Sequence, residues 1–170
     1  MKNSNMRKSV YIESTIPSYY VAEPSRDIVL LAHQGITREW WNTDRQNYDL
    51  YISEIIITEI SKGDSTYSEK RKMLIADIDE LEMADGIVEL TKEYFEKLHI
   101  PQKAANDAFH IAFTVYHNID YLLTWNCKHM ANPITRERLH KINASKGLIT
   151  PEICTPDELL NMSKEADYVE

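Results

Sequence analysis

Cysteine and glycine are scarce in this chain, basic residues are outnumbered, and no hydrophobic run is long. Cys127 and Cys154 are the two cysteines, far apart in sequence. That argues against a disulfide framework and a four-thiolate zinc site, and both read as reduced thiols. Four glycines and six prolines, with no repeat or low-complexity stretch, mark no linker. A single domain over 1–170 is therefore expected, with its core at 8–160. No apolar stretch approaches the roughly 20 residues needed to cross a bilayer, and the opening MKNSNMRKSVYIES lacks the apolar run of a signal peptide. The expectation is a cytoplasmic protein with no membrane partner. Lys and Arg number 19 against 27 Asp and Glu, a net charge of -8, whereas nucleic-acid binders usually neutralise phosphates with Lys and Arg. Either the acids form a solvated surface, or a few converge on metal ions that supply positive charge at a phosphate.

What is present is enough apolar sequence, 43% of 170 residues, for one ordinary core. SVYIE (9–13) predicts a strand, and DIVLLAHQGITREWWNTDRQ (27–46) carries apolar residues near helical spacing. LYIS (50–53) predicts a second strand running into a helix, EIIITEISKG, that Gly63 ends. STYSEKRKMLIADIDELE (65–82) reads as an amphipathic helix with Ser65 as N-cap. GIVEL (86–90) reads as a strand, with Thr91 capping the helix TKEYFEKLHI that follows. KAANDAFHIAFTVYHN (103–118) predicts an apolar helix, IDYLLTW (119–125) a strand, and NPITRERLHKINASKG (132–147) a helix with Asn132 as N-cap and Pro133 at its first position. EICT (152–155) predicts the last strand, with Thr155 capping PDELLNM. Alternating strands and helices with short connections imply an α/β fold: a three-layer α/β/α sandwich with a mostly parallel central sheet of about five strands. Ligands in such folds collect at the carboxyl ends of the strands.

Three acids stand where acids are uncommon. Glu13 ends the first strand; Glu59 shares a stripe with Ile55, Ile56 and Ile60; Asp107 is flanked at helical spacing by Ala104 and Ile111. A buried ionised carboxylate without a partner is costly. Singly, each has an ordinary reading, Glu59 as a half-exposed residue near a helix end and Asp107 as a first-turn acid favoured by the helix dipole. Together they lie in separate β-α segments of one sheet. Two carboxylates about 4 Å apart repel by roughly 4 kcal/mol at an effective dielectric of 20. Protonation or a divalent cation must relieve that, and oxygen ligands favour a hard ion, Mg²⁺ or Mn²⁺.

These segments carry a resemblance. YIESTIPS, ISEIIITEISKG and NDAFHIAFTVYHNIDYLLTWN, in this order, resemble the motifs of the PIN domain, a metal-dependent nuclease fold that includes VapC-type toxins. The resemblance spans roughly 8–160 and implies the sandwich already expected, with Mg²⁺ or Mn²⁺ as cofactor and RNA phosphodiester hydrolysis as activity. It implies Glu13, Glu59 and Asp107 as metal ligands, directly or through water. Asn126 stands at the fourth catalytic position, and Ser14, Thr15, Thr124 and His110 support the site. Two positions depart from the family pattern: Glu13 replaces an Asp, and Asn126 replaces an acid, so that one metal is expected to be held firmly and a second weakly. The partners implied are RNA, an antitoxin protein covering the site, and a second copy of the chain.

Other residues have plainer readings. His110 either orients Asp107, contacts phosphate or packs in the core. His117, Cys127 and His129 fit no zinc spacing, and Glu54 is an ordinary first-turn acid. Trp40 and Trp41 read as core, and Arg136, Arg138 and Lys141 as solvated charge or a phosphate track. Against the ribonuclease stands a decayed PIN-like module that binds protein or RNA without cleaving. A receiver-type phospho-acceptor switch lacks its paired acids and acceptor Asp.

Overall fold

The computed structural model describes residues 7–160. Five strands, β1 (Lys8–Ile12), β2 (Tyr48–Ser53), β3 (Asp79–Leu81), β4 (Tyr121–Leu123) and β5 (Glu152–Cys154), form one sheet in the order β3-β2-β1-β4-β5. Every pairing is parallel, with Val10 opposite Leu50 on one side and Tyr121 on the other. Around the sheet lie α1 (Thr15–Val21), α2 (Ile28–Thr43), α3 (Glu54–Ile60), α4 (Ser65–Leu74), α5 (Asp85–Lys97), α6 (Ala105–Tyr116) and α7 (Pro133–Ala144). Val10, Tyr11, Ile12, Leu122 and Leu123 are wholly buried, as expected of central parallel strands covered by helices. Each such aliphatic side chain contributes about 1.5–3 kcal/mol by leaving water.

Several boundaries moved for identifiable reasons. The helix expected over 65–82 stops at Leu74, and 79–81 becomes the edge strand β3. Its N-cap is Asp64, not Ser65: the Asp64 carboxylate accepts from the N–H groups of Thr66 and Tyr67. The strand expected at 86–90 is instead the first part of α5. Five residues cannot separate a buried strand from a helix, whereas the longer pattern of buried Ile87, Thr91, Tyr94 and Leu98 has helical period. Thr91 is thus no cap; it lies inside α5 and donates to Ile87 O. Helix α1 was not anticipated. The remaining elements fall inside their expected ranges or within two residues of them. Asn132 caps α7 by accepting from Thr135 N–H. Gly63 and Gly147 take φ of 85° and 68° just past α3 and α7, the left-handed conformation that favours glycine. Thr155 and Glu158 cap the next helical turns reciprocally; the end of the PDELLNM helix lies outside the described residues.

The sheet order places a topological switch point between β1 and β4. Chain order runs outward from β1 through β2 to β3 on one side and from β4 to β5 on the other. The crevice at the carboxyl ends of these two strands is where open parallel sheets bind ligands. Glu13 and Thr124 are the residues that leave it, and Glu13 N–H donates to Leu123 O across it.

Candidate metal centre

Glu13 is held rigidly. Only 4% exposed, it accepts through Oε2 from Thr15 N–H (3.1 Å), Thr15 Oγ1 (2.5 Å) and Thr124 Oγ1 (2.8 Å), and through Oε1 from Ser14 Oγ (2.7 Å). Oε2 is saturated by three donors; Oε1 has one and keeps lone-pair capacity. The Thr124–Asn126 segment that closes this side is itself anchored. Thr15 Oγ1 accepts from Trp125 N–H, Thr124 Oγ1 from Asn126 N–H, and the Trp125 indole donates to Thr37 Oγ1 while stacking on His33, ring centroids 4.0 Å apart.

Glu59 reaches the same crevice from α3. It accepts from Asn106 Nδ2 (2.8 Å) and lies 3.2 Å from His110 Nε2. Burial pushes its pKa up, but the His110 hydrogen bond and charge, with help from Asn106 and Ser14, outweigh burial and hold it at about 2. His110 is 1% exposed. Its Nδ1 lies 2.9 Å from Tyr11 Oη, which lies 2.6 Å from Ser53 Oγ.

Asp107, in the first turn of α6, faces the other two acids. Burial lifts its pKa to about 6; His110 and a hydrogen bond from Asn126 oppose that rise, and the charges of Glu13 and Glu59 add to it. Asn126 Nδ2 donates to Asp107 Oδ2 (3.0 Å), and Asn126 Oδ1 accepts from His129 N–H (3.0 Å). The two partners fix the amide orientation, since a flip would set oxygen against carboxylate and nitrogen against N–H. The Asn126 amide oxygen is therefore engaged by His129 N–H, and its nitrogen faces the acid.

One ligand atom each of Glu13, Glu59 and His110 lies within 4.8 Å of the other two; among the described residues no other trio of His, Cys, Asp or Glu does so. Asp107 borders this grouping without belonging to it. The donor set fits a divalent cation: three acids share a crevice, burial and the charges of the other two raise the carboxyl of Asp107, and no Lys or Arg among the described residues is paired with any of them. Ser14, Thr15 and Thr124 all support Glu13. Glu54 is exposed in the first turn of α3, Trp40 and Trp41 are core, Arg136 pairs with Glu158 and Lys141 with Glu137. Sequence reading did not anticipate Asn106, Tyr11, Ser53 or Trp125. The available signal was weak: a tyrosine and a serine on buried strands each need a polar partner.

No family model matches the chain, and no curated protein does. Among solved structures it is similar to VapBC2 from Rickettsia felis bound to a DNA fragment from their promoter, with a TM-score of 0.52 over 86% of this chain and 98% of that chain. The fold is PIN-like. At 13% identity the fold is what the two share. No helix among the described residues is long and apolar enough to cross a membrane.

Proposed function

We propose that this chain is a cytoplasmic, Mg²⁺- or Mn²⁺-dependent endoribonuclease of the PIN type, a hydrolase of RNA phosphodiester bonds. The observation that supports it above others is the grouping of Glu13, Glu59 and His110, with Asp107 beside it, at the switch point of a PIN-like sheet, with no lysine or arginine among the described residues paired to these acids. A divalent cation bound there neutralises phosphate charge and lowers the pKa of water. Glu13 Oε1 and a Glu59 oxygen would hold the ion, and Thr15, Thr124 and Ser14 fix Glu13 so that it does not swing out to solvent. Asp107, whose Oδ1 receives no hydrogen bond from a described residue, stands where it can accept a proton from the attacking water. No side-chain nucleophile is needed.

The deciding experiment is cleavage of a mixed RNA panel with Mg²⁺ or Mn²⁺ by the intact chain, Glu13→Gln and Asp107→Asn. Activity lost in both variants supports the reading; activity that survives both rejects it.

The similar solved structure is of a VapBC complex, so an antitoxin partner belongs to this proposal, as does a homodimer. Ile28 and Val29, 80% and 61% exposed at the start of α2, offer apolar surface for a protein partner. A second reading, a PIN-like module that binds without cleaving, draws on Asn126, which brings no charge to the fourth position. Absence of Mn²⁺ binding would favour that module.

A further inference from the structure

We propose that His110 Nε2 is itself a metal ligand. The ion is then held by one nitrogen and two carboxylates, from His110, Glu59 and Glu13, and first-row transition ions are preferred to Mg²⁺. This rests on the metal-centre reading above and names the atoms that meet the ion.

The geometry is the first ground. One ring nitrogen of His110 and single oxygens of Glu13 and Glu59 form the one grouping within 4.8 Å among the described residues, and Nε2 is the nitrogen that faces Glu59 while Nδ1 faces Tyr11. Asp107 lies beside it. The separation between His110 Nε2 and Glu59 Oε2, 3.2 Å, is long for a charge-assisted hydrogen bond, which is usually about 2.7–2.9 Å. It is the length of one edge of a coordination octahedron: bonds of about 2.1–2.2 Å set neighbouring ligand atoms roughly 3.0–3.1 Å apart. An ion can therefore replace this contact with little movement of either side chain.

The second ground is the tautomer. To ligate through Nε2 the imidazole must release to solvent the Nε2 proton it holds toward Glu59 and keep its proton on Nδ1, and that proton needs an acceptor inside a dry core. Tyr11 Oη stands 2.9 Å from Nδ1 and can accept it, passing its own proton toward Ser53 Oγ 2.6 Å further on. Both hydroxyls serve as donor or acceptor, so the relay reverses direction without moving an atom other than hydrogen. Tyr11 and Ser53 are wholly buried, and they hold the ring as the outer partners of metal-bound histidines ordinarily do.

The third ground is chemical preference. Mg²⁺ keeps oxygen ligands and several waters. An imidazole in the set raises affinity along the series from Mn²⁺ toward Co²⁺ and Zn²⁺. Asp107, outside the grouping, then meets the ion through bound water, in keeping with the base assigned to it above.

The test uses the full chain loaded with Mn²⁺ alone and needs no RNA. Pulsed electron paramagnetic resonance is expected to show nitrogen modulation of the Mn²⁺ signal that changes to the ¹⁵N pattern when the protein is made with ¹⁵N-histidine. His110→Gln keeps an N–H donor toward Glu59 and removes the imidazole. It is expected to abolish the modulation, weaken Mn²⁺ by at least about tenfold and narrow the preference over Mg²⁺ by a similar factor. Mn²⁺ that binds without a histidine nitrogen signal, or His110→Gln with unchanged affinity and preference, overturns the proposal and leaves His110 a positioning residue for Glu59. Failure of Mn²⁺ to bind at all removes the metal-centre reading with it. Should His110→Gln not fold, the labelled wild-type spectrum decides alone.

Discussion

Two carboxylates sit at opposite ends of the same pair of strands. At the amino ends of β1 and β4, Asp120 accepts from Ser9 N–H and Oγ at 2.9 Å each and from Lys8 Nζ at 2.6 Å. At the carboxyl ends, Glu13 accepts from hydroxyls and an N–H, and its charged neighbours are two more acids and a histidine. The first end is complete, because the chain supplies its own cation. The second gathers like charge and, among the described residues, supplies no cation beyond His110. A strand-end acid thus becomes a candidate site through the shortage of cations around it, and position in the sheet is secondary.

The contrast predicts a graded set of outcomes. The largest effect is on chemistry. Glu13→Gln or Asp107→Asn should lower metal-dependent RNA cleavage by at least about 100-fold, whereas Asp120→Asn should leave it unchanged; equal losses in all three would erase the distinction between the two ends. Next is the Glu13 clamp. Thr124→Val keeps the shape and removes one donor, and isothermal titration should show Mn²⁺ binding about tenfold weaker.

A smaller effect concerns stability in EDTA. The Asp107 carboxyl is raised in the fold, to about 6 from an ordinary 3.8, so the folded state binds the proton more tightly and loses stability as pH rises from about 4 to 6. Asp107→Asn removes that loss. The metal-free variant should be more stable by about 1 kcal/mol at pH 7.5, a figure discounted for partial solvent access, and indistinguishable at pH 4. A denaturation midpoint lower than wild type at pH 7.5 would contradict this. The smallest effect is Asp120→Asn. Burial raises the Asp120 pKa, but Lys8 and Ser9 pull it below the ordinary value, so this carboxylate stabilises the fold above the ordinary carboxylate range and ceases to as pH falls. Thermal melts should show a slight loss at pH 7 that disappears in acid.

The parallel α/β fold was legible because strands and helices alternate and the central strands are continuous apolar runs. The edge was not. Asp79-Glu80-Leu81 pairs with β2 over three residues, too short a run for a side-chain pattern to announce, and its charges read as the polar face of a helix. Glu13, Glu59 and Asp107 stood out as acids among apolar neighbours. His110 was named beside them but its role stayed open, since a histidine on a buried helix face looks the same whether it packs or points into a site. Its bearing comes from Tyr11 and Ser53, on two other elements. Asn126 was legible as a departure; which of its amide atoms faces Asp107 depends on His129 N–H, a backbone contact invisible in the residue names.

The open border of β3 has a consequence for the behaviour of the protein at high concentration. Exposed strand edges are templates on which further chains can add, and this border carries the exposed acids Asp79 and Glu80. A second molecule approaching edge to edge brings the same pair of negative charges, so the addition of further strands at this border is opposed.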